Sequence, residues 1–297
     1  MATTTKQRER RRGEAKPSIS ATVEPAATPS VSRIRGDSLT ESDAPDDADE
    51  RLVRSQQRVR ELGEVFTPRR IVQKMLDLLP ADTWEPHPSA TFLEPSAGDG
   101  NFLVAIYDRK AKVVLARAAE GRLPAGDDAH AIQFHLLEAL ASIYAVDISE
   151  ENVFGGTEEH PLGSRERLLA HVTHWHSEAT GKPPALNSRF LKAARRIVEW
   201  NLIVGNMLPV NPDGSPSGTD DIPLIEYEWD PANQHINLRQ TTLGACLTQA
   251  EEETSDTLSL FGYEEPPVAW SGPALAVAHA DVNAVVDDRS RTRNGRP

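Results

Sequence analysis

Glu94 and Asp147 each close a short apolar run, in "ATFLEP" and "IYAVDI", and Gly98 and Gly100 follow the first acid within "TFLEPSAGDGNFLVAI". In open α/β sheets, ligands sit at the carboxyl ends of strands, where the chain turns toward the next helix. Glycine at such a turn permits positive φ and lets the backbone approach a ligand closely. A phosphate there needs helix amides with no acid beside them, but Glu94 and Asp99 both crowd this turn. The residues therefore favour a ligand with a cationic or hydrogen-bond-donating group. They do not form a P-loop, because no Gly-Lys-Ser/Thr follows. Asp147 has acceptor positions for two hydroxyl donors at once, the usual way to hold a ribose. Its separation from Gly98 exceeds the ~20 residues of the dinucleotide pattern, and an additional helix around 129–141 accounts for the excess. The plainer alternative is an ordinary strand-to-helix turn, with Asp147 capping the next helix.

Other reactive groups carry less. His171 and His174 in "HVTHWH" share a helical face, and His176 follows, but no Cys or carboxylate completes a metal set. The expectation is a solvated helix end and no metal. Glu226, Glu228 and Asp230 alternate in "LIEYEWD", which on a strand places them on one solvated face. Asn211-Pro212 in "PVNPDG" reads as a turn. Cys246 is the one cysteine, so no internal disulfide framework forms.

These residues need elements to hold them. Thr67 and Pro68 suit the cap and first position of a helix in "TPRRIVQKMLDLLP", with Ile71, Met75, Leu78 and Leu79 on its apolar face. Helices are expected from Gly100 to about Gly121, from Asp127 or Asp128 to Ala141, in "SRERLLAHVTHWH", and in "NSRFLKAARRIVEW" behind Asn187 or Ser188. "ATFLEP", "IYAVDI" and "NLIVGNML" are short and almost wholly apolar, as buried parallel strands are. Strands alternating with helices indicate an α/β fold with a doubly wound, mostly parallel sheet. "LIEYEW" and "HINLRQTTL" are expected to pair late in the chain as antiparallel strands. The domains follow: a disordered polar tail over 1–50, a cofactor-binding domain over 51–243, and a low-order C-terminal tail over 244–297.

Charge and composition narrow the function further. The chain carries a formal net charge of −13, which argues against a dedicated DNA clamp, although "KQRERRRGEAK" near the start is a basic tail. No apolar run is long enough to cross a bilayer, and no apolar segment marks a secretory signal. The expected location is cytoplasmic, with no membrane partner.

In sequence, "GEVFTPRRIVQKML", "FLEPSAGDGNFL" and "IYAVDI" resemble the amino-terminal half of amino-group DNA methyltransferases. The nearest set is the adenine-N6 enzymes, including modification subunits of restriction systems. The resemblance implies a methyltransferase-like fold and S-adenosylmethionine as cofactor, which has a sulfonium and an ammonium and no phosphate. It also implies that Thr67 and Pro68 open a helix over the methionine end of that cofactor. Glu94, Ser96, Gly98 and Gly100 would lie under it, Asp147 would bind its ribose, and Asn206 would stand where the family's acid meets the adenine. DNA is the implied substrate. The family's catalytic Asn/Asp-Pro-Pro-aromatic tetrapeptide is missing: Asp213 and Gly214 follow Asn211-Pro212, and "PPVAW" lacks the leading Asn. No catalytic residue is therefore assigned. The expected function is DNA adenine-N6 methylation in a restriction or phage-defence system. The alternative is a degenerate or split cofactor-binding subunit that needs a partner chain, and a different amine or amide substrate also fits the missing tetrapeptide.

Overall fold

Four short segments pair in parallel. The computed structural model describes residues 65–126, 128–158, 161–208, 210–211, 214–246 and 266–280, and the backbone of 18–20. Ser18–Ser20 (β1), Thr91–Glu94 (β2), Ile143–Asp147 (β3) and Leu202–Val204 (β4) form one sheet in that order. Arg69–Leu76 (α1) precedes β2. Asn101–Ala119 (α2) and Ala129–Ala141 (α3) join β2 to β3. Glu150–Phe154 (α4), Ser164–Thr180 (α5) and Arg189–Asn201 (α6) join β3 to β4. Parallel neighbours require such helical crossovers. The strands follow one another in chain order without reversal, so among the described residues there is no topological switch point of the kind a doubly wound sheet contains. The observed class is mixed α/β, with this parallel sheet and a separate antiparallel one. β1 belongs to the segment expected as a disordered tail. The basic stretch Lys6–Lys16 and "RLVRSQQRVRELGE" lie outside the described residues.

α3 and α6 begin where their capping residues dictate. Asp128 accepts from the Ala131 amide at 2.8 Å, and Ser188 accepts from Leu191 at 3.2 Å. α1 corrects the expectation by one residue: Pro68 is its cap, Thr67 makes no side-chain cap, and the helix stops at Leu76. Its inward face is Val72 and Leu76, with Ile71, Met75 and Leu79 half-buried, whereas Leu78 is exposed. α2 is preceded by Gly100 at its N-cap, which is left-handed with φ +87°.

The period of two along β3 divides the interior. Ile143 and Ala145 join the main core with residues of α2, α3, α5 and α6. Val146 faces Ile222, Leu224 and Leu243 instead, and Tyr144 packs against both clusters. Pro223–Asp230 (β5) pairs with His235–Thr242 (β6) over its whole length, from Pro223↔Thr242 to Asp230↔His235. Ile225, Tyr227 and Trp229 point inward, and Trp229 meets Phe134 edge to face at 5.1 Å. Val268–Pro273 (β7) pairs with β6, and the 3-10 turn Ala274–His279 carries the fully buried Val277 into the main core. Burying such a side chain is worth about 1.5–3 kcal/mol, so 266–280 is part of the folded unit.

Candidate functional site

The turn between β2 and α2 is drawn against the end of β3 by backbone and side-chain bonds. The Ala97 amide donates to the Val146 carbonyl at 3.1 Å, and the Gly98 amide donates to Asp147 Oδ2 at 2.6 Å. Gly98 has φ +54°, and a Cβ there would stand 3.2 Å from the Phe66 ring. A Cβ on Gly100 would stand 3.0 Å from that of Ser164, so the start of α5 packs directly on the turn. Glycine at both positions answers to backbone geometry and to close approach together. Asn101 Nδ2 donates to the Thr67 carbonyl at 3.1 Å, which fixes the lead-in to α1 beside the same turn. Arg109 then ties α1 to α2 through Gln73 and Asp77.

The three acids of the site are in different electrostatic states. Asp99 forms an ion pair with Arg167 at 3.0 Å, and the same guanidinium reaches Asn101 Oδ1 at 2.9 Å. Asp147 is only 4% exposed. Besides Gly98, it accepts from the Ser149 amide at 2.8 Å and from Asn152 Nδ2 at 3.1 Å. Glu94 has no cation within ion-pair distance among the described residues. Burial pushes its carboxyl up to about 7, the Ser96 amide at 3.3 Å partly offsets this, and the charge of Asp147 adds to it. Beside Glu94 lies an apolar recess lined by Met75, Leu79, Leu93, Phe102 and Tyr144 among others, in which Glu94 is the one acid. A hydrophobic slot ending in an uncompensated carboxyl suits a ligand with an apolar body and a positive or proton-donating group.

The structure brings Glu94, Ser96, Gly98, Gly100 and Asp147 together and places Thr67 and Pro68 next to them. Ser96 is exposed and contributes its amide to Glu94. Asp147 is engaged by three protein donors, so its observed role is to clamp the glycine turn and the start of α4. Asn206 accepts from the Leu208 amide at 2.9 Å and donates to Asn211 Oδ1 at 3.1 Å. Asn211 in turn donates to Ser215 Oγ at 3.1 Å and to the Pro216 carbonyl at 3.2 Å. The histidines do not converge: His171 bonds Asp108 at 2.8 Å, His174 is exposed, and His176 packs on Phe190. Among the described residues, no group of three or more potential ligands is placed to hold a metal. Glu228 pairs with Arg239 at 2.9 Å across the hairpin, and Asp230 closes its turn through Asn233.

Sequence reasoning missed two groups. Arg167, which neutralises Asp99, lies 68 residues away in the chain, and no local spacing links them. The second is a buried polar cluster. Glu138, 1% exposed, accepts from His87 Nδ1 at 2.7 Å, His135 Nδ1 at 3.1 Å and the Ser89 amide at 3.4 Å. Lys110, equally buried, donates to Ser89 Oγ and the Ala90 carbonyl, both at 2.7 Å. Burial works against the charge of Glu138, but the two imidazole bonds outweigh it and hold the carboxyl below its ordinary value. His135 and Glu138 sit three apart in a run buried from Phe134 to Ala141, and that pattern was the available signal.

No protein-family model, curated protein or solved structure matches this chain. Among the described residues, no helix is long and apolar enough to cross a membrane.

Proposed function

We propose that this chain binds S-adenosylmethionine at the Glu94–Gly100 turn and is a DNA adenine-N6 methyltransferase of the restriction-modification type. The observation that carries the reading is Glu94: a carboxyl without a counter-ion among the described residues, lining an apolar recess beside a glycine turn. The ammonium and sulfonium of this cofactor supply the missing positive charge, and the methylenes between them suit the apolar walls. The reading takes the parallel strands as one half of a doubly wound, methyltransferase-like sheet. A ribose hydroxyl on Asp147 would share the carboxylate with its three protein donors.

A second reading is favoured by Asn206 and Asn211. Their amides are committed to each other and to the 208–216 loop, and no Asn-Pro-Pro-aromatic tetrapeptide is present to receive a flipped base. On that reading the chain is a cofactor-binding subunit whose catalytic loop comes from a partner. Calorimetric titration with S-adenosylmethionine, followed by a labelled-methyl assay on duplex DNA, separates the two. Binding that weakens about tenfold or more in Glu94→Gln, with transfer, supports the enzyme. Binding without transfer selects the subunit. Absence of binding by the wild-type chain ends both.

A further inference from the structure

We infer that the outer face of α6, with the loop before it, is a docking surface for the phosphodiester backbone of duplex DNA. This deepens the DNA-directed reading and rests on it for the choice of polyanion. Lys182, Arg189, Lys192, Arg195 and Arg196 fall within fifteen residues that contain no Asp or Glu, in a chain of net charge −13. On α6 the buried side is Phe190, Leu191, Ala193, Ala194, Ile197 and Val198. The cations occupy the opposite arc: Arg189, Lys192 and Arg195 are exposed, and Arg196 is partly exposed over Trp200. Arg196 pairs with Glu199 at 3.4 Å, whereas among the described residues Arg189, Lys192 and Arg195 make no ion pair.

This arrangement works against the helix that carries it. Cations near a helix N-terminus oppose the macrodipole, and the first turn of α6 contains no acid. Like charges three and four apart cost a few tenths of a kcal/mol per pair. An acidic chain has ample carboxylates to intersperse, as the end of α2 does with Arg117 and the C-cap Glu120. Glu199 enters this arc only in the last turn, beside Arg196, and leaving the first two turns without a carboxylate fits a partner that arrives with its own regular negative charge. Arg189 to Arg195 spans about 9 Å of helix axis, a length that meets two or three phosphates. Contacts of this kind position a duplex and do not read its sequence.

The test is the salt dependence of binding to a fluorescent duplex of about 20 base pairs, measured between 50 and 200 mM KCl. Each phosphate contact contributes about 0.9 to the slope of log affinity against log salt. Arg189→Gln/Lys192→Gln/Arg195→Gln should therefore flatten the slope by about 2–3 and weaken binding at 50 mM salt. Arg189→Lys/Arg195→Lys should keep the wild-type slope. Equal slopes for wild type and the glutamine variant, or no duplex binding by wild type at 50 mM salt, overturn the proposal. So does binding of the wild-type α6 face to the chain's own acidic Asp37–Glu50 segment in place of DNA, detected by cross-linking. Titration of the glutamine variant with S-adenosylmethionine keeps the two readings apart. Cofactor binding should be unchanged in it, and loss of cofactor binding in wild type with duplex binding intact would sink the methyltransferase reading alone.

Discussion

Replacing Glu94 by Gln should make the protein more stable at pH 8 and leave it nearly unchanged at pH 5. The folded carboxyl titrates near 7, against an ordinary value of 4.5. Between those values the native state holds a proton that the unfolded chain has released. Stability contributed by this group is therefore complete below 4.5 and is lost as pH rises through 7. Each pH unit in that window is worth about 1.4 kcal/mol, and the whole window about 3 kcal/mol. The glutamine carbonyl preserves the acceptor for the Ser96 amide, now at 3.3 Å, so the variant removes the titration and little else. Urea unfolding of both proteins at half-unit steps from pH 5 to 8.5 reads the difference directly. The curves should separate through the window and run parallel above pH 8. In thermal scans the gap corresponds to about 6–12 °C for a folded unit of about 200 residues. Parallel curves throughout, or a variant less stable at pH 8, would refute the claim that burial and Asp147 hold this carboxyl neutral.

Two further substitutions probe the supports of the site. Glu138→Gln should cost about 1–3 kcal/mol in chemical denaturation, because a glutamine amide must face either His135 or the His87 and Ser89 donors. Shifting the His135 tautomer gives no relief, since its Nε2 already accepts from the Ala125 amide; an unchanged midpoint would show that the cluster is not closed. Gly98→Ala should cost about 1–2 kcal/mol for the left-handed backbone, and more for the Phe66 contact at 3.2 Å. A loss in Gly98→Ala equal to that in Phe66→Leu/Gly98→Ala would show that the ring yields freely.

The elements that a local pattern specifies were legible in the sequence. Asp128 and Ser188 cap helices as their residue types dictate, and the apolar runs "TFLE" and "IYAVD" became adjacent parallel strands. The β5–β6 hairpin followed from alternation alone. What depended on distant partners was not legible. Thr67 failed as a cap because Pro68 takes that position and the Thr67 carbonyl is held by Asn101. Val268–Pro273 falls in the segment that composition reads as a low-order tail, but β6 offers it a free edge and α6 offers Val277 a buried slot. At the site, the sequence placed Glu94, Gly98 and Asp147 in one neighbourhood; it did not reveal that Asp147 would be spent on three internal donors.

That difference alters the argument from acids to ligand. Two carboxylates crowd the turn in sequence and Asp147 closes the next strand, and counting them suggests a strongly negative site. In the folded chain Asp99 is balanced by Arg167 and Asp147 by hydrogen bonds, so the discriminating charge reduces to Glu94. Below pH 7 that carboxyl is mostly protonated, and the turn then repels an anion weakly. A cation that binds beside it must pull its titration downward, so binding at pH 6.5 to 7 releases part of a proton to the buffer. Selection for a cationic ligand is thus coupled to pH, and calorimetric binding enthalpies should vary with the ionisation enthalpy of the buffer near neutrality and become independent of it above pH 8.5. Buffer-independent enthalpies at pH 6.5 would place the ligand's positive charge away from Glu94, and the cation argument for this turn would fail with them.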